Sequence, residues 1–135
     1  MPYWLLKTEP DDYSYDRLEK DKKTVWDGVT NPAALKNMRA AKKGDLALVY
    51  HTGDERQAVG IAEVASAPYA DKKDEKLALF DVKAKLRLVQ PVTLAQIKAS
   101  PVFAASPLVK QGRLSVVPLS DSEWRALLAM AKTKV

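Results

Sequence analysis

Cysteine is absent from the 135 residues, and histidine occurs once, as His51. A chain without thiols has no disulfide framework and no thiolate nucleophile, and it suits a reducing compartment, so the sequence predicts a cytoplasmic protein. With one imidazole and no sulfur ligand, a zinc site of the usual nitrogen and sulfur donors has no material, and no metal or cofactor is expected. Glycine is also scarce. Gly28, Gly44, Gly53, Gly60 and Gly112 are isolated from one another, which excludes a glycine-rich phosphate loop, a dinucleotide fingerprint and the enzymes built on them. Long apolar runs are missing as well. The longest, 126–131, is too short to span a bilayer, and the N-terminal segment reaches Lys7 too early for a signal-peptide core, so neither export nor a membrane partner is expected.

What is present is an ordinary globular composition, 47% hydrophobic and 29% charged, at a length that one domain over residues 1–135 accommodates. The net charge of +5 favours an anionic partner such as nucleic acid, because Lys and Arg release counterions when they meet phosphates. The charge is uneven. Acidic residues gather between Glu9 and Asp21, whereas Lys36, Arg39, Lys42 and Lys43 crowd one short segment.

The pattern along the chain predicts an α+β domain. An aromatic and apolar strand from Tyr3 to Lys7 is stopped by Glu9-Pro10-Asp11-Asp12, and a short helix through Asp16, Leu18 and Glu19 gives way to a polar stretch ending at Lys23. Asn31-Pro32 matches a helix cap with proline at the first turn, opening a helix from Pro32 to Ala40. The apolar run from Leu46 to Tyr50 and the segment from Gln57 to Val64 read as a hairpin. From Phe80 to Val89, apolar positions alternate with Lys83, Lys85 and Arg87, which places a basic face on one side of a strand. Thr93 with Gln96 and Ser120 with Glu123 are capping boxes that each open a helix, and a strand lies between them from Arg113 to Val117. About five or six strands with short peripheral helices fit a curled or closed, mainly antiparallel sheet.

Two candidate chemistries stand out. Glu9, Asp12 and His51 could serve a small hydrolase or a nucleic-acid-processing enzyme, although no motif fixes a nucleophile. Trp26 lies between a polar stretch and the Asp27-Gly28 turn, outside any apolar period, and could present a stacking face to a base beside the amide of Asn31. On that reading Trp26 is less deeply packed than Trp4 or Trp124. The competing readings are a core tryptophan, a helix-capping asparagine and a structurally satisfied His51.

The segments Tyr3-Trp4-Leu5-Leu6-Lys7-Thr8-Glu9-Pro10, Trp26-Asp27-Gly28-Val29-Thr30-Asn31, Gly44-Asp45 with Tyr50-His51-Thr52, Pro91-Val92-Thr93-Leu94, and Gln111-Gly112-Arg113-Leu114-Ser115-Val116 occur in the order of the EVE domain family. The chain resembles that family over nearly its whole length. The resemblance implies a PUA-like barrel, related to the YTH and ASCH groups, with a non-catalytic pocket for a modified base of DNA or RNA. It implies ligand contacts from Lys7, Thr8 and Glu9, from Trp26 as a stacking wall and Asn31 as an edge reader, and from Tyr50, His51 and Thr52. Arg113 and Ser115 would anchor a phosphate and add a hydroxyl. Lys36, Arg39, Lys83, Lys85 and Arg87 are the expected contacts to the nucleic-acid backbone. Thr8 and Thr52 stand where the family has serine, keeping a hydroxyl. Thr30 stands where arginine is expected and removes a planar donor fork.

Overall fold

The computed structural model describes residues 3–135; Met1 and Pro2, at the start of the expected 1–135 domain, lie outside the described residues. Strand β1, Tyr3–Thr8, buries Trp4, Leu5 and Leu6 consecutively. A run buried on both faces belongs in the middle of a sheet. There β1 runs parallel to β3, Leu46–His51, and antiparallel to β7, Val116–Leu119. Helix α1, Tyr15–Asp21, is capped by the Ser14 hydroxyl and leads into β2, Lys23–Trp26. Helix α2 spans Pro32–Ala40, the boundaries that the asparagine-proline pair predicts. Strand β4, Gln57–Val64, returns antiparallel to β3, and the two-residue β5, Tyr69–Ala70, pairs with the long β6, Ala78–Thr93. Both capping boxes form, at the starts of α3, Leu94–Ala99, and α5, Asp121–Met130. A single 3-10 turn, Pro101–Phe103, and the short α4, Pro107–Lys110, lie between α3 and β7.

The sheet has seven strands, in the order β2-β6-β4-β3-β1-β7 with β5 on the flank of β6. The expected neighbours β3, β4 and β6 are adjacent. The expected closed barrel does not form: β2 and β7 are both edges and do not pair with each other. Helix α2 brings separated parts of the sheet together. It packs on β7 and on β6, which stand far apart in the sheet order, and Asn37 donates from Nδ2 to the Val116 carbonyl at 2.8 Å. The helix thus bridges β6 and the edge strand β7.

Several elements depart from the sequence reading: β5, the 3-10 turn and α4 have no counterpart in it, and β6 runs past Phe80 and Val89 at its two ends. Strand β2 begins at Lys23, where the polar stretch ends, and runs to Trp26; with Lys23 and Val25 exposed and only Trp26 buried it carries no apolar pattern of its own, and pairing with β6 defines it. The closing strand starts at Val116 rather than Arg113, so Arg113 and Ser115 belong to the approach to β7.

Candidate functional site

The seam between the two sheet edges is an open cleft of about 450 Å³. One wall is β2 and its following turn, from Thr24 to Val29; the opposite wall is the end of β1 at Lys7, Thr8 and Glu9, together with Ser115 just before β7. The two sides of the β1 wall are tied by the Lys7 backbone N–H, which donates to the Ser115 carbonyl at 2.9 Å. The floor of the cleft continues into the Glu9–Tyr13 turn. There Asp12 and Tyr13 donate backbone N–H groups to the Glu9 carbonyl, and the Thr8 hydroxyl donates to the Tyr13 carbonyl at 2.8 Å.

Trp26 is 6% exposed and belongs to the core, as do Trp4 and Trp124 at 4% each. It is the most exposed of the three, but by two percentage points only, so the expected contrast between a cleft tryptophan and two core ones shrinks to almost nothing. Its pairing with Phe80 across β2 and β6 supplies the burial that its sequence neighbours do not predict. The ring nevertheless borders the cleft, and its indole N–H has no hydrogen-bond partner among the described residues. No buried side-chain nitrogen or oxygen among them lacks a partner, so that N–H reaches solvent. Trp4, by contrast, donates to Asp45 Oδ2 at 2.9 Å.

Lys7 brings a half-buried ammonium to the cleft. Its Nζ donates to the Gly112 carbonyl at 2.8 Å and lies 5.9 Å from the centroid of the Tyr50 ring, and burial lowers its pKa below the usual lysine value. Burial likewise raises the phenols of Tyr13 and Tyr50. Glu9 is tethered by the Thr52 hydroxyl, which donates to Oε1 at 3.3 Å. Gly53, at φ +73, backs against the same oxygen; an added Cβ would stand 3.1 Å from it.

The residues expected at one pocket divide. Lys7, Thr8, Glu9, Trp26 and Ser115 meet in the seam cleft. Tyr50 and Thr52 line a neighbouring groove, which shares Lys7 with the cleft. Asn31 is exposed and gives its side-chain oxygen to the cap of α2, accepting from Ala33 and Ala34 N–H groups at 2.9 and 3.1 Å. His51 is buried with both ring nitrogens engaged: Nε2 accepts the Tyr15 backbone N–H at 3.0 Å, and Nδ1 lies 3.0 Å from Glu55 Oε1. Because a backbone amide only donates, the ring proton sits on Nδ1 and points to Glu55. That histidine positions α1 and is not placed to act as a general base in the cleft. Arg113 is exposed and borders neither depression.

The backbone candidates divide too. Lys83 and Lys85 both reach Glu63, at 3.3 and 3.4 Å, and Arg87 pairs with Asp16 and Glu19 while stacking 5.2 Å from the Tyr15 ring centroid. Despite some desolvation, the two lysines hold the Glu63 carboxyl below its usual range. The alternating basic face is thus compensated by acids from β4 and α1, which a reading along one strand cannot see. Arg39 is held by the Lys76 carbonyl, and Lys36 is exposed on α2; neither borders the cleft. Sequence reasoning missed Thr24 because β2 carried no signal of its own, and it gave no contact to Asp27 or Val29 although both stand in the Trp26–Asn31 segment.

The sequence pattern that defines the EVE domain matches residues 2–130. The chain belongs to the EVE family. Among proteins of known structure, the EVE-family chain is similar to Rpa0253 from Rhodopseudomonas palustris, with 38% identity and a TM-score of 0.92 over 98% of this chain and 94% of that one. Mouse thymocyte nuclear protein 1 is 25% identical across 98% of this chain and 74% of its own length. The human THYN1 protein, solved in complex with 5-methylcytosine containing DNA, shares the fold at a TM-score of 0.90 and 23% identity, with full coverage of both chains.

Proposed function

We propose that this EVE domain is a non-catalytic DNA-binding module that takes a modified base, turned out of its strand, into the seam cleft. The observation that carries the reading is the composition of the seam: an indole wall, an ammonium, a carboxylate and a hydroxyl around an open volume of about 450 Å³. Trp26 offers stacking and an N–H without a partner, Lys7 and Ser115 offer donors, and Glu9 offers an acceptor for an exocyclic amino group. The human relative's complex with 5-methylcytosine containing DNA supports a methylated cytosine as the base to test first.

Magnitudes separate affinity from discrimination. Stacking contributes roughly 1–3 kcal/mol per base whatever its substituent. A single methyl, buried against Val25 or Val29 in the β2 wall, adds about 0.8 kcal/mol, or about fourfold in affinity. Titration of matched oligonucleotides with and without one 5-methylcytosine checks this by fluorescence anisotropy, with the modified strand expected to bind about fourfold tighter. Equal affinity for the pair, repeated over other cytosine and adenine modifications, would sink the base-reading assignment. Turnover of either strand would favour the hydrolase alternative, for which His51, tied to Tyr15 and Glu55, is not available.

A further inference from the structure

Beside the seam lies a groove of about 320 Å³ that meets the cleft at Lys7. Its charged lining side chains are Lys7, Arg56 and Lys98, and no carboxylate residue lines it. Asp54 and Glu55 border the adjoining depression along with Arg56 and Lys98, but no ion pair joins either acid to these cations among the described residues. Glu55 is turned to His51, and Glu9 to Thr52. Arg56 is held in place locally: at φ 48 its backbone is left-handed, and its Nε donates to the Gly53 carbonyl at 3.2 Å, leaving the terminal guanidinium nitrogens without a partner among the described residues. The contrast with β6 is direct, because there every cation of the expected basic face has an acid partner.

We propose that this groove carries the phosphodiester backbone of the DNA strand whose base enters the seam, with Arg56 and Lys98 as the phosphate contacts and Lys7 at the junction. The assignment rests on the base-binding reading of the cleft. Charge complementarity selects the occupant, since cations that no carboxylate pairs with among the described residues are matched by a polyanion. Continuity through Lys7 selects the strand, since a nucleotide whose base lies in the cleft must leave its own phosphates at the cleft's rim. Arg suits this place because its planar fork can bind a phosphate bidentately, while Lys98 supplies a point charge.

The test uses single-stranded DNA in three forms: with one 5-methylcytosine, unmodified, and abasic at that position. Affinity is measured against NaCl concentration for the wild type, for Arg56→Gln with Lys98→Gln, and for Lys83→Gln with Lys85→Gln. The groove variant should weaken all three strands by one common factor, reduce the salt slope by about 0.7 per lost contact, and keep the methylated-to-unmodified ratio. The β6 variant should keep the wild-type slope. A wild type that shows no methyl preference but loses abasic-strand affinity in the groove variant removes the base-reading assignment and leaves the groove standing. A wild type with no salt-dependent affinity for the abasic strand, a groove variant with wild-type slope, or slope loss in the β6 variant alone overturns the groove assignment.

Discussion

Trp26 borders the cleft and is packed almost as fully as Trp4 and Trp124. One ring therefore serves both the core and the candidate base contact, and truncation cannot separate the roles. Trp26→Ala is expected to cost about 3–5 kcal/mol, within the range for Trp4→Ala and Trp124→Ala, because all three leave a cavity in the same core. Trp26→Phe keeps most of the volume, and its stability loss should stay below about 1.5 kcal/mol. It removes the unpartnered indole N–H and part of the stacking surface, so DNA affinity should still fall by roughly tenfold, about 1.4 kcal/mol. Urea denaturation and anisotropy on both variants check this; a Trp26→Phe protein with wild-type affinity would make the residue purely a packing one.

At the scale of elements, the junction of α1 with the β4-β6 pair sets the geometry around His51. Tyr15 lies flat over Gly60, where an added Cβ would stand 2.2 Å from the ring carbon Cζ, and its hydroxyl donates to the Ile61 carbonyl at 2.7 Å. The Arg87 guanidinium covers the same ring and binds Asp16 and Glu19 on α1. Gly60→Ala cannot be absorbed by a flexible chain end, because the obstacle is the middle of a buried aromatic ring. The expected cost is about 1–3 kcal/mol or more, with α1 pushed off the sheet. Amide exchange measures it: protection should fall in α1 and at the Tyr15 N–H bound to His51 before it falls in β3 and β4. Uniform loss across the sheet would show that α1 is not a separable layer.

At the scale of the whole molecule, the first strand lies between β3 and the last strand, so the fold is completed only when the C-terminal segment arrives. Strand β7 covers the buried edge of β1, α5 stacks Trp124 on Tyr3 at 4.4 Å between ring centroids, and Ser115 finishes the cleft. A chain ended after Gly112 would expose the β1 edge and the faces of Leu5 and Leu6, and it should lack a cooperative unfolding transition in calorimetry. A cooperative transition near that of the full chain would show that the sheet is stable without its last strand.

The helix starts at Pro32 and at both capping boxes, the β3-β4 hairpin and the family are all legible in the amino-acid order, because caps, turns and apolar periods act over a few residues, where the chain is its own environment. The resemblance to the family brought forward Lys7, Thr8, Glu9 and Ser115, and position in the chain brought forward Trp26; the fold assembles all five in one cleft. The remaining features depend on contacts between distant parts of the chain. Edge strand β2 has no apolar alternation of its own and exists through its pairing with β6. Lys83, Lys85 and Arg87 look free along one strand but face Glu63, Asp16 and Glu19 from others. His51 and Asn31 spend their polar atoms on the protein. The physical reason is common to all of these: burial, charge compensation and hydrogen-bond satisfaction depend on neighbours distant in the chain, and those neighbours are fixed only when α2 brings the separated parts of the sheet together and leaves its seam open.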